Sequence, residues 1–491
     1  MDLGVLNHPL LYEINTRCWL AELSDRAGRR LTLAEVPDSE FEFWQRCDFT
    51  HIWLMGVWTL GRRGLDHSKR AFAGRETEIG PCELAGSPYA LTGYQVSRKL
   101  GGDGALAAFR RKLNERGIKL VLDFIPNHTA LDHPWVKAHS EFYVTSDSPR
   151  DGTIKPFRGA IKWFAHGDSG HDSPWVDTLQ LDYRNPALRQ AMIAELMRVA
   201  ERCDGVRCDM TMLELNEVFA RTWRDFAVET VSNDTEFWSA AINTVRGRCP
   251  EFLFLAEAYW DLEARLQELG FDFTYDKKLY DRLIARGAGE VTRYLHSLAP
   301  EFIARSAHFI ENHDEPRIAS LLGPREHHAA ALLVLGLPGM RFIHEGQASG
   351  RRIHANVHFA TRHHEPDDSG TTANYEKLLG ALRQTSIGRG EWRLLKAQPA
   401  WTENPTHQHI AIVQWQTDSR AFDLVVVNLS AVQSQCYAPL TAASLDKFNW
   451  HLVDLVGDEV HERQGDALNT RGLYLDLAPH AAQLFRFTPA P

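Results

Sequence analysis

The segment Phe309-Ile310-Glu311-Asn312-His313-Asp314-Glu315-Pro316-Arg317 is the most informative about the fold, because its apolar start leads into acidic residues. Three upstream segments share this pattern of an apolar run that ends on a carboxylate: residues 120–123, 205–209 and 252–257. Short apolar runs of this kind are typical of parallel strands that are buried on both faces. Because a β/α barrel gathers acids at the carboxyl ends of its strands, the four segments predict a barrel with an acidic site.

Eight strand candidates can be placed along the chain, and helical patterns separate most of them. Apolar positions recur at intervals of three and four in residues 104–116 and 186–202, as in helices packed on a sheet. Alternation of strand and helix favours a parallel sheet, and eight strands favour its closure into a (β/α)8 TIM barrel of the α/β class. The candidate strands are residues 11–15, 51–58, 119–125, 205–208, 252–256, 271–274, 307–311 and 340–344.

Two stretches break this alternation and predict further domains. Residues 129–183 are rich in Gly, Pro, Asp, Ser and aromatic residues, have no sustained period and are too long for an ordinary loop. Beyond about Ser386, short β-branched or aromatic runs such as residues 410–416 indicate an antiparallel β-sandwich. We therefore assign residues 1–128 and 184–385 to the barrel, 129–183 to an irregular domain inserted after the third strand, and 386–491 to a C-terminal β-domain.

Composition and charge narrow the class of function. The 491 residues are 44% hydrophobic and 24% charged, as in a soluble globular protein. A net charge of −10 argues against nucleic acid or an anionic membrane as a partner, and it leaves the oligomeric state open. The seven cysteines include no CxxC pair and do not indicate a disulfide framework. The first residues lack the pattern of a signal peptide and no apolar run could cross a bilayer, so we expect a cytoplasmic protein.

Four short motifs resemble the signature regions of the α-amylase superfamily, glycoside hydrolase family 13. Asp123-Phe124-Ile125-Pro126-Asn127-His128 resembles the first region, residues 205–209 the second, Glu257 the third and Asn312-His313-Asp314 the fourth. The motifs occur in the order of the family, and the resemblance extends over about residues 11–347. It implies the same barrel, inserted domain and C-terminal β-domain that the strand pattern predicts.

The resemblance also implies roles for three carboxylates. Asp209 would be the nucleophile, Glu257 the acid/base, and Asp314 a third carboxylate that binds sugar hydroxyls. Retaining glycosidases need the first two carboxyls about 5–5.5 Å apart. We therefore expect a retaining hydrolase that acts on α-1,4-linked glucans or malto-oligosaccharides through a covalent glycosyl-enzyme intermediate.

Neighbouring side chains fit this division of roles. Arg207 lies two residues before Asp209 on the same side of the strand, so its charge should hold Asp209 ionised. The sequence places no basic residue as close to Glu257. Tyr259 and Trp260 should instead desolvate Glu257 and raise its pKa, as a general acid requires.

Further residues are expected to bind the sugar. The resemblance implies that His128 and His313 bind hydroxyl groups, together with Arg207, and that Tyr89 forms an aromatic platform under the cleaved sugar. Trp260 is a candidate for an outer subsite.

Departures from the family pattern indicate an atypical subgroup. Ala90 stands where many exo-acting members have an Asp, and after Asp209 the chain continues Met210-Thr211-Met212-Leu213, without the Lys-His pair of many endo-acting members. Gln180 stands where the family often has a calcium ligand. A calcium ion would then depend on Asn127 and further oxygens, and we expect no other cofactor.

Two histidine-rich pieces invite a metal interpretation, but they lack a third ligand at a known spacing. These are His327-His328 and residues 362–365, and we expect both on the solvated surface.

Other functions stay open on the sequence alone. With an acceptor sugar in place of water, the same residues would make an α-glucan or glucosyl transferase, or an isomerase of small sugars. A non-catalytic, amylase-like binding protein would be expected to lack at least one of the three acids, and all three are present.

Overall fold

The computed structural model describes residues 8–74, 82–171, 173–226, 235–417, 421–442 and 445–490. Its centre is a closed barrel of eight parallel strands in which β1 pairs with both β2 and β8. The predicted (β/α)8 barrel is confirmed, and each predicted strand overlaps an observed one. The strands are β1 (Leu10–Asn15), β2 (His51–Met55), β3 (Lys119–Phe124), β4 (Gly205–Cys208), β5 (Leu253–Ala256), β6 (Phe273–Tyr275), β7 (Ser306–His308) and β8 (Met340–His344).

Helices follow the barrel strands and cover their outer side. Several begin with side-chain caps, such as Asn185, whose side chain accepts a hydrogen bond from the amide of Ala187 at the start of Pro186–Ala200. The α-helices are Thr16–Ala27, Asp38–Arg46, Arg62–Ala71, Gly102–Asn114, Trp135–Ala138, Pro186–Ala200, Asn216–Thr222, Phe237–Arg246, Glu263–Glu268, Lys277–Ile284, Ala288–Ser297, Pro300–Ile303, Ile318–Leu321, Pro324–Gly336, Ser369–Gln384 and Gly465–Arg471.

Alternation along the strands divides the core into an inner and an outer layer. In β5, Leu253 and Leu255 face the inside of the barrel, whereas Phe254 and Ala256 pack against the helices. Both layers are mainly apolar, which explains why most strands read as hydrophobic runs; β7 is an exception, with buried Ser306 and His308 on either side of the inward-facing Ala307. Polar inward positions are therefore confined to the carboxyl ends of the strands, where the site lies.

The seventh strand ends earlier than predicted. The sequence predicts a strand over residues 307–311, but β7 ends at His308. Glu311 instead accepts hydrogen bonds from Arg317 at 2.5 Å and from the backbone amide of Ile318 at 2.7 Å. Its carboxylate accepts a hydrogen bond from an otherwise free amide at the start of the helix Ile318–Leu321. This contact turns the chain away from the sheet.

Between β3 and the helix Pro186–Ala200, the described residues form short antiparallel strands and short helical turns such as Trp135–Ala138. His128–Ala130 pairs with Thr178–Gln180, and Trp163–Ala165 pairs with two strands of two residues each. These short pairs agree with the irregular texture of the sequence. The exact limits of the inserted domain, residues 129–183, stay a prediction.

The C-terminal part forms antiparallel sheets, as predicted. A six-stranded sheet packs on the barrel helix Pro324–Gly336, where Trp415 donates a hydrogen bond to the carbonyl of Gly336 at 2.8 Å. A Cβ on Gly336 would lie 2.8 Å from Val425, so this contact requires glycine. In sheet order the six strands are Glu391–Leu395, Ile410–Gln416, Phe422–Asn428, Ala482–Pro489, Asn449–Asp454 and Val460–Gln464, and a second sheet holds Gln398–Pro399, Ser434–Ala438 and Leu473–Leu477.

No helix in the described part of the chain is long and apolar enough to cross a membrane.

Candidate active site

One guanidinium group joins two of the predicted catalytic carboxylates. Asp209 and Glu257 each follow directly on the ends of neighbouring strands, β4 and β5. Arg207, on β4, donates from Nη1 to Asp209 Oδ1 at 2.5 Å and from Nη2 to Glu257 Oε2 at 2.8 Å. Because the two terminal nitrogens belong to one planar group, the carboxylates lie side by side at the barrel end.

This arrangement corrects one inference from the sequence. Glu257 was expected to have no basic residue close to it, but Arg207 contacts it directly. The reason is the register of the barrel, which pairs Arg207 with Leu255, two residues before Glu257. A guanidinium that points along its own strand toward Asp209 therefore also reaches the next strand.

Although Asp209 and Glu257 share Arg207 as a partner, their environments affect their pKa values differently. Burial, together with the charges of Asp209 and Asp314 and against the effect of Arg207, raises the pKa of Glu257 to about 7. Burial raises the pKa of Asp209 as well, while Arg207 lowers it. Two close carboxylates do not both ionise readily, since both charges together are costly. The shorter contact with Arg207 favours the charge on Asp209 and the proton on Glu257.

The backbone after Asp209 is folded tightly against Glu257. Met210 has a φ of 45°, a left-handed conformation that is unusual for a residue with a side chain. In this conformation its amide donates to Glu257 Oε2 at 2.7 Å, and the Thr211 hydroxyl donates to the Glu257 carbonyl at 2.6 Å. The Tyr259 hydroxyl donates to the other carboxylate oxygen, Oε1, at 2.8 Å. The position of Glu257 is thus fixed from three directions.

The third carboxylate, Asp314, belongs to a charged chain of residues. The ring of His313 donates from Nε2 to Asp314 at 3.0 Å and from Nδ1 to Glu13 at 2.5 Å. Burial lowers the pKa of His313, but the two carboxylates outweigh it and raise the pKa well above its ordinary value. Burial likewise raises the pKa of Asp314, but the charged His313 lowers it to about 2. Asp314 is therefore an anion, and its side chain is 44% exposed.

Tyr89 connects these groups. Its hydroxyl hydrogen-bonds the Nε2 atom of His313, and its ring is stacked on the His313 ring at a centroid distance of 5.7 Å. Arg207 lies 5.6 Å from the centre of the same ring. The structure therefore brings together six of the residues predicted from the sequence: Asp209, Glu257, Asp314, Arg207, His313 and Tyr89.

His128 and Trp260 lie farther out. His128 is buried against the ring of Trp175 at 5.1 Å and hydrogen-bonds the backbone of Tyr89, and burial lowers its pKa to about 4. It is therefore neutral and supports the backbone of Tyr89. Trp260, in the loop after β5, packs against His171 of the inserted segment with 4.4 Å between the ring centroids.

Three buried residues of the site were not predicted from the sequence. Glu13 on β1 holds His313, and Tyr275 on β6 contacts Arg207 Nε through its hydroxyl at 3.3 Å. Trp53 on β2 lies 5.4 Å from Arg207 and donates to Asp123 at 2.9 Å. Glu13 could have been found from the sequence, because it is a lone acid inside the apolar run of β1. An unpaired buried charge is costly, so such an acid is expected to have a polar partner.

The position proposed for calcium holds an amide group. Gln180 Nε2 donates to three oxygens: Asn127 Oδ1 at 2.8 Å, the Asn127 carbonyl at 3.0 Å and the Leu181 carbonyl at 3.1 Å. A hard cation would need these oxygens as ligands. Among the described residues there is also no group of three or more His, Cys, Asp or Glu that could hold a metal. The donor set at Asn127 therefore does not fit calcium.

The histidine-rich pieces are only partly on the solvated surface: His364 is exposed, as expected, whereas the surface assignment is wrong for His327 and for the side chain of Arg362. His327 is buried and hydrogen-bonds the Tyr375 hydroxyl at 3.0 Å. The side chain of Arg362 is only 4% exposed and contacts two glutamates. Sequence patterns cannot show these partners, since they come from distant parts of the chain.

Comparisons with known proteins find similarity in the part of the chain that carries the candidate site. The family model of the alpha amylase catalytic domain matches residues 87–383. The chain is 22% identical to alpha-amylase 3 of Dictyoglomus thermophilum over 70% of this chain and 64% of that relative. It is 26% identical to an alpha-1,4-glucan:maltose-1-phosphate maltosyltransferase of Rhodospirillum rubrum over 52% of this chain and 32% of that relative. It therefore spans less than two thirds of the length of these relatives.

A solved structure supports the fold. The noncanonic maltogenic alpha-amylase of Thermotoga neapolitana matches with a TM-score of 0.68 and 18% identity, over 100% of both chains.

Proposed function

Because the chain belongs to the α-amylase family, whose catalytic-domain model matches more than half of it, we propose that it hydrolyses α-1,4-linked glucans or malto-oligosaccharides with retention of configuration. The observation that carries the proposal is the bridge from Arg207 to Asp209 and Glu257, with Asp314 beside it. It supports an anion and a proton donor next to one another, which retaining cleavage requires.

In the first step, Glu257 gives its proton to the glycosidic oxygen while an Asp209 oxygen attacks the anomeric carbon. The bond from that carbon to the leaving oxygen breaks, and the leaving sugar departs as an alcohol. Glu257 is suited to this step because burial raises its pKa to about 7, so that it holds a proton near neutral pH. The product is a glycosyl ester of Asp209.

In the second step, Glu257 takes a proton from a water molecule, and the water oxygen attacks the anomeric carbon. The ester bond breaks and Asp209 leaves as a carboxylate, which Arg207 stabilises. Two inversions give net retention. The backbone contacts that fix Glu257 serve both steps, because the same carboxyl group donates and then accepts.

The remaining site residues suit a sugar ring. Asp314 is an exposed anion beside the pair and can accept hydrogen bonds from two hydroxyl groups. Tyr89 offers an aromatic face, which is held by stacking on His313. Asp209, Glu257 and Asp314 as the catalytic carboxylates, with Tyr89, His128, Arg207, His313 and Trp260 as sugar-binding residues, are part of this proposal. The absence of a cofactor requirement is part of it too.

Transfer to an acceptor sugar is the second candidate. The similarity to a maltosyltransferase favours it, since the same glycosyl-enzyme can react with a sugar hydroxyl instead of water. The two activities differ only in the second step.

Product analysis distinguishes these functions. Purified protein is incubated with maltoheptaose, and the products are separated by chromatography. Shorter oligosaccharides alone would support hydrolysis, whereas products longer than maltoheptaose would support transfer. The Glu257→Gln variant is the control for contaminating enzymes. If maltoheptaose, maltose, trehalose and sucrose all stay intact in the presence of wild-type protein, the proposal is wrong.

A further inference from the structure

We propose that His354 binds the sugar held by Asp314, and that four charged residues outside the catalytic group, Glu22, Glu345, Arg351 and Arg362, position the loop that carries it. This inference rests on the proposed function, because it assigns a further substrate-binding residue to the same site. His354 contacts the substrate directly, and the four charged residues hold its loop in place.

His354 is anchored beside the catalytic residues by one of its two nitrogens. Its Nε2 donates to the backbone carbonyl of His313 at 2.8 Å. A carbonyl oxygen can only accept, so Nε2 carries the hydrogen and Nδ1 is left as an acceptor in the neutral ring. Within the described residues, no hydrogen bond to this Nδ1 is present. His354 is exposed, and its charge when protonated lowers the pKa of Asp314, after that of His313 and Arg207.

The loop that carries His354 runs along the side of the site. Residues 345–368 lie between β8 and the helix Ser369–Gln384, and they form turns and irregular structure. Beyond His354 the loop bonds to the segment that precedes Tyr89: the Ala85 amide donates to the His358 carbonyl at 2.8 Å, and the Ala360 amide donates to the Glu83 carbonyl at 2.7 Å. The loop therefore connects the Asp314 side of the site with the Tyr89 side.

An irregular loop of this length would lose much conformational entropy on ordering, and it therefore needs compensating contacts. Arg362 supplies them by binding two glutamates at once. It donates to Glu22 at 2.7 and 2.9 Å and to Glu345 at 2.6 and 2.6 Å. Arg351 adds a second bidentate pair with Glu22, at 2.9 and 2.9 Å. We call these four residues the clamp.

The clamp joins both ends of the loop to the barrel. Glu345 directly follows β8, and its amide donates to the carbonyl of Glu13, the residue that holds His313. Glu22 lies on the helix Thr16–Ala27, which follows β1. Planar guanidinium groups with two contacts per carboxylate fix direction as well as distance. The clamp thus sets the path of the loop from the strand end to His354.

Kinetics on maltotriose test His354 directly. One hydrogen bond to a sugar hydroxyl predicts that His354→Ala raises KM about 3- to 10-fold and changes kcat less than about 2-fold, as expected for a contact made in ground and transition state alike. His364→Ala is the matched control, because His364 is an exposed histidine of the same loop. An unchanged KM for His354→Ala would overturn the proposal.

A double variant tests whether the clamp acts through His354. Arg362→Met should raise KM about as much as His354→Ala, and the two changes together should raise it no further. Arg362→Lys should restore part of the effect, and Arg352→Met, an exposed arginine of the loop, is the control. If Arg362→Met does not fold, Glu22→Gln is used in the same cycle. Additive effects would show that the clamp does not act through His354 and would overturn that part.

A binding measurement separates this inference from the proposed function. Calorimetric titration with 1-deoxynojirimycin, a glucose-shaped iminosugar, needs no turnover. Weaker binding by His354→Ala than by wild type supports the role of His354, even if maltotriose stays intact and the proposed function fails. Equal binding by the two proteins, with maltotriose cleaved normally, overturns the role of His354 and leaves the proposed function standing.

Discussion

Replacing the Asp209 carboxylate by an amide should abolish turnover without abolishing the fold. In Asp209→Asn the side chain keeps its shape and its position next to Arg207, which it contacts at 2.5 Å. An amide is not an anion, so it can neither attack the anomeric carbon nor stabilise positive charge there. Only 8% of the Asp209 side chain is exposed, so water cannot easily take its place.

The magnitude follows from these contacts. We expect kcat to fall at least about 10³-fold, or roughly 4 kcal/mol of barrier, and KM to change less than about 3-fold. Removing one partner of a buried ion pair typically costs about 3–5 kcal/mol of stability. Arg207 keeps Glu257 as its second partner at 2.8 Å, so we expect a smaller loss here, about 1–3 kcal/mol.

The assay is steady-state kinetics on maltotriose, combined with urea unfolding. Asp261→Asn is the matched control, because Asp261 is an 89% exposed aspartate in the loop after β5. The control should keep wild-type kinetics. If Asp209→Asn retained more than about a tenth of the turnover, a barrier change under roughly 1.4 kcal/mol, Asp209 would not be the nucleophile.

Three further predictions concern titration and metal binding. Burial raises the pKa of Glu257 to about 7, so kcat/KM on maltotriose should fall as the pH rises above about 7 and the acid loses its proton, and a flat profile up to about pH 9 would contradict this. Gln180 fills the position proposed for calcium, so exchanging calcium for a chelator should shift the melting temperature by less than about 1 °C, and a drop of several degrees would refute the argument. Burial raises the pKa of Glu214 well above 4.5, so the folded state binds an extra proton at this residue, and the contribution of Glu214 to stability should decline as the pH rises above about 4.5. The side chain of Glu214→Gln does not titrate, so the melting temperature of the variant minus that of wild type should increase between about pH 5 and pH 8. A difference that does not depend on pH would contradict a buried neutral Glu214.

The sequence predicts the barrel well because most of the strands lie in compact apolar runs. Local signals also locate Asp209 and Glu257, since each comes directly after such a run. The end of β7 is predicted less well, because Glu311 accepts hydrogen bonds from Arg317 and Ile318 instead of continuing the strand. The apolar pattern of the sequence does not show these contacts.

Contacts across the barrel could not be predicted from the sequence. Arg207 reaches Glu257 only because the register pairs β4 with β5 in one particular way. Arg362 and Glu22 meet although 340 positions separate them in the chain. Their pairing depends on closure of the barrel, which brings the loop after β8 next to the helix after β1. Residue type and spacing describe neighbours along the chain, and these partners are neighbours only in space.

In the mechanism that we propose, Asp209 and Glu257 cleave an α-glycosidic bond with retention. The most direct test is proton NMR of the first sugar released from maltotriose, recorded before the anomers interconvert. The mechanism predicts that the new reducing end appears as the α-anomer, because two inversions restore the starting configuration. Initial release of the β-anomer would mean direct attack by water, and it would contradict the assignment of Asp209 as nucleophile.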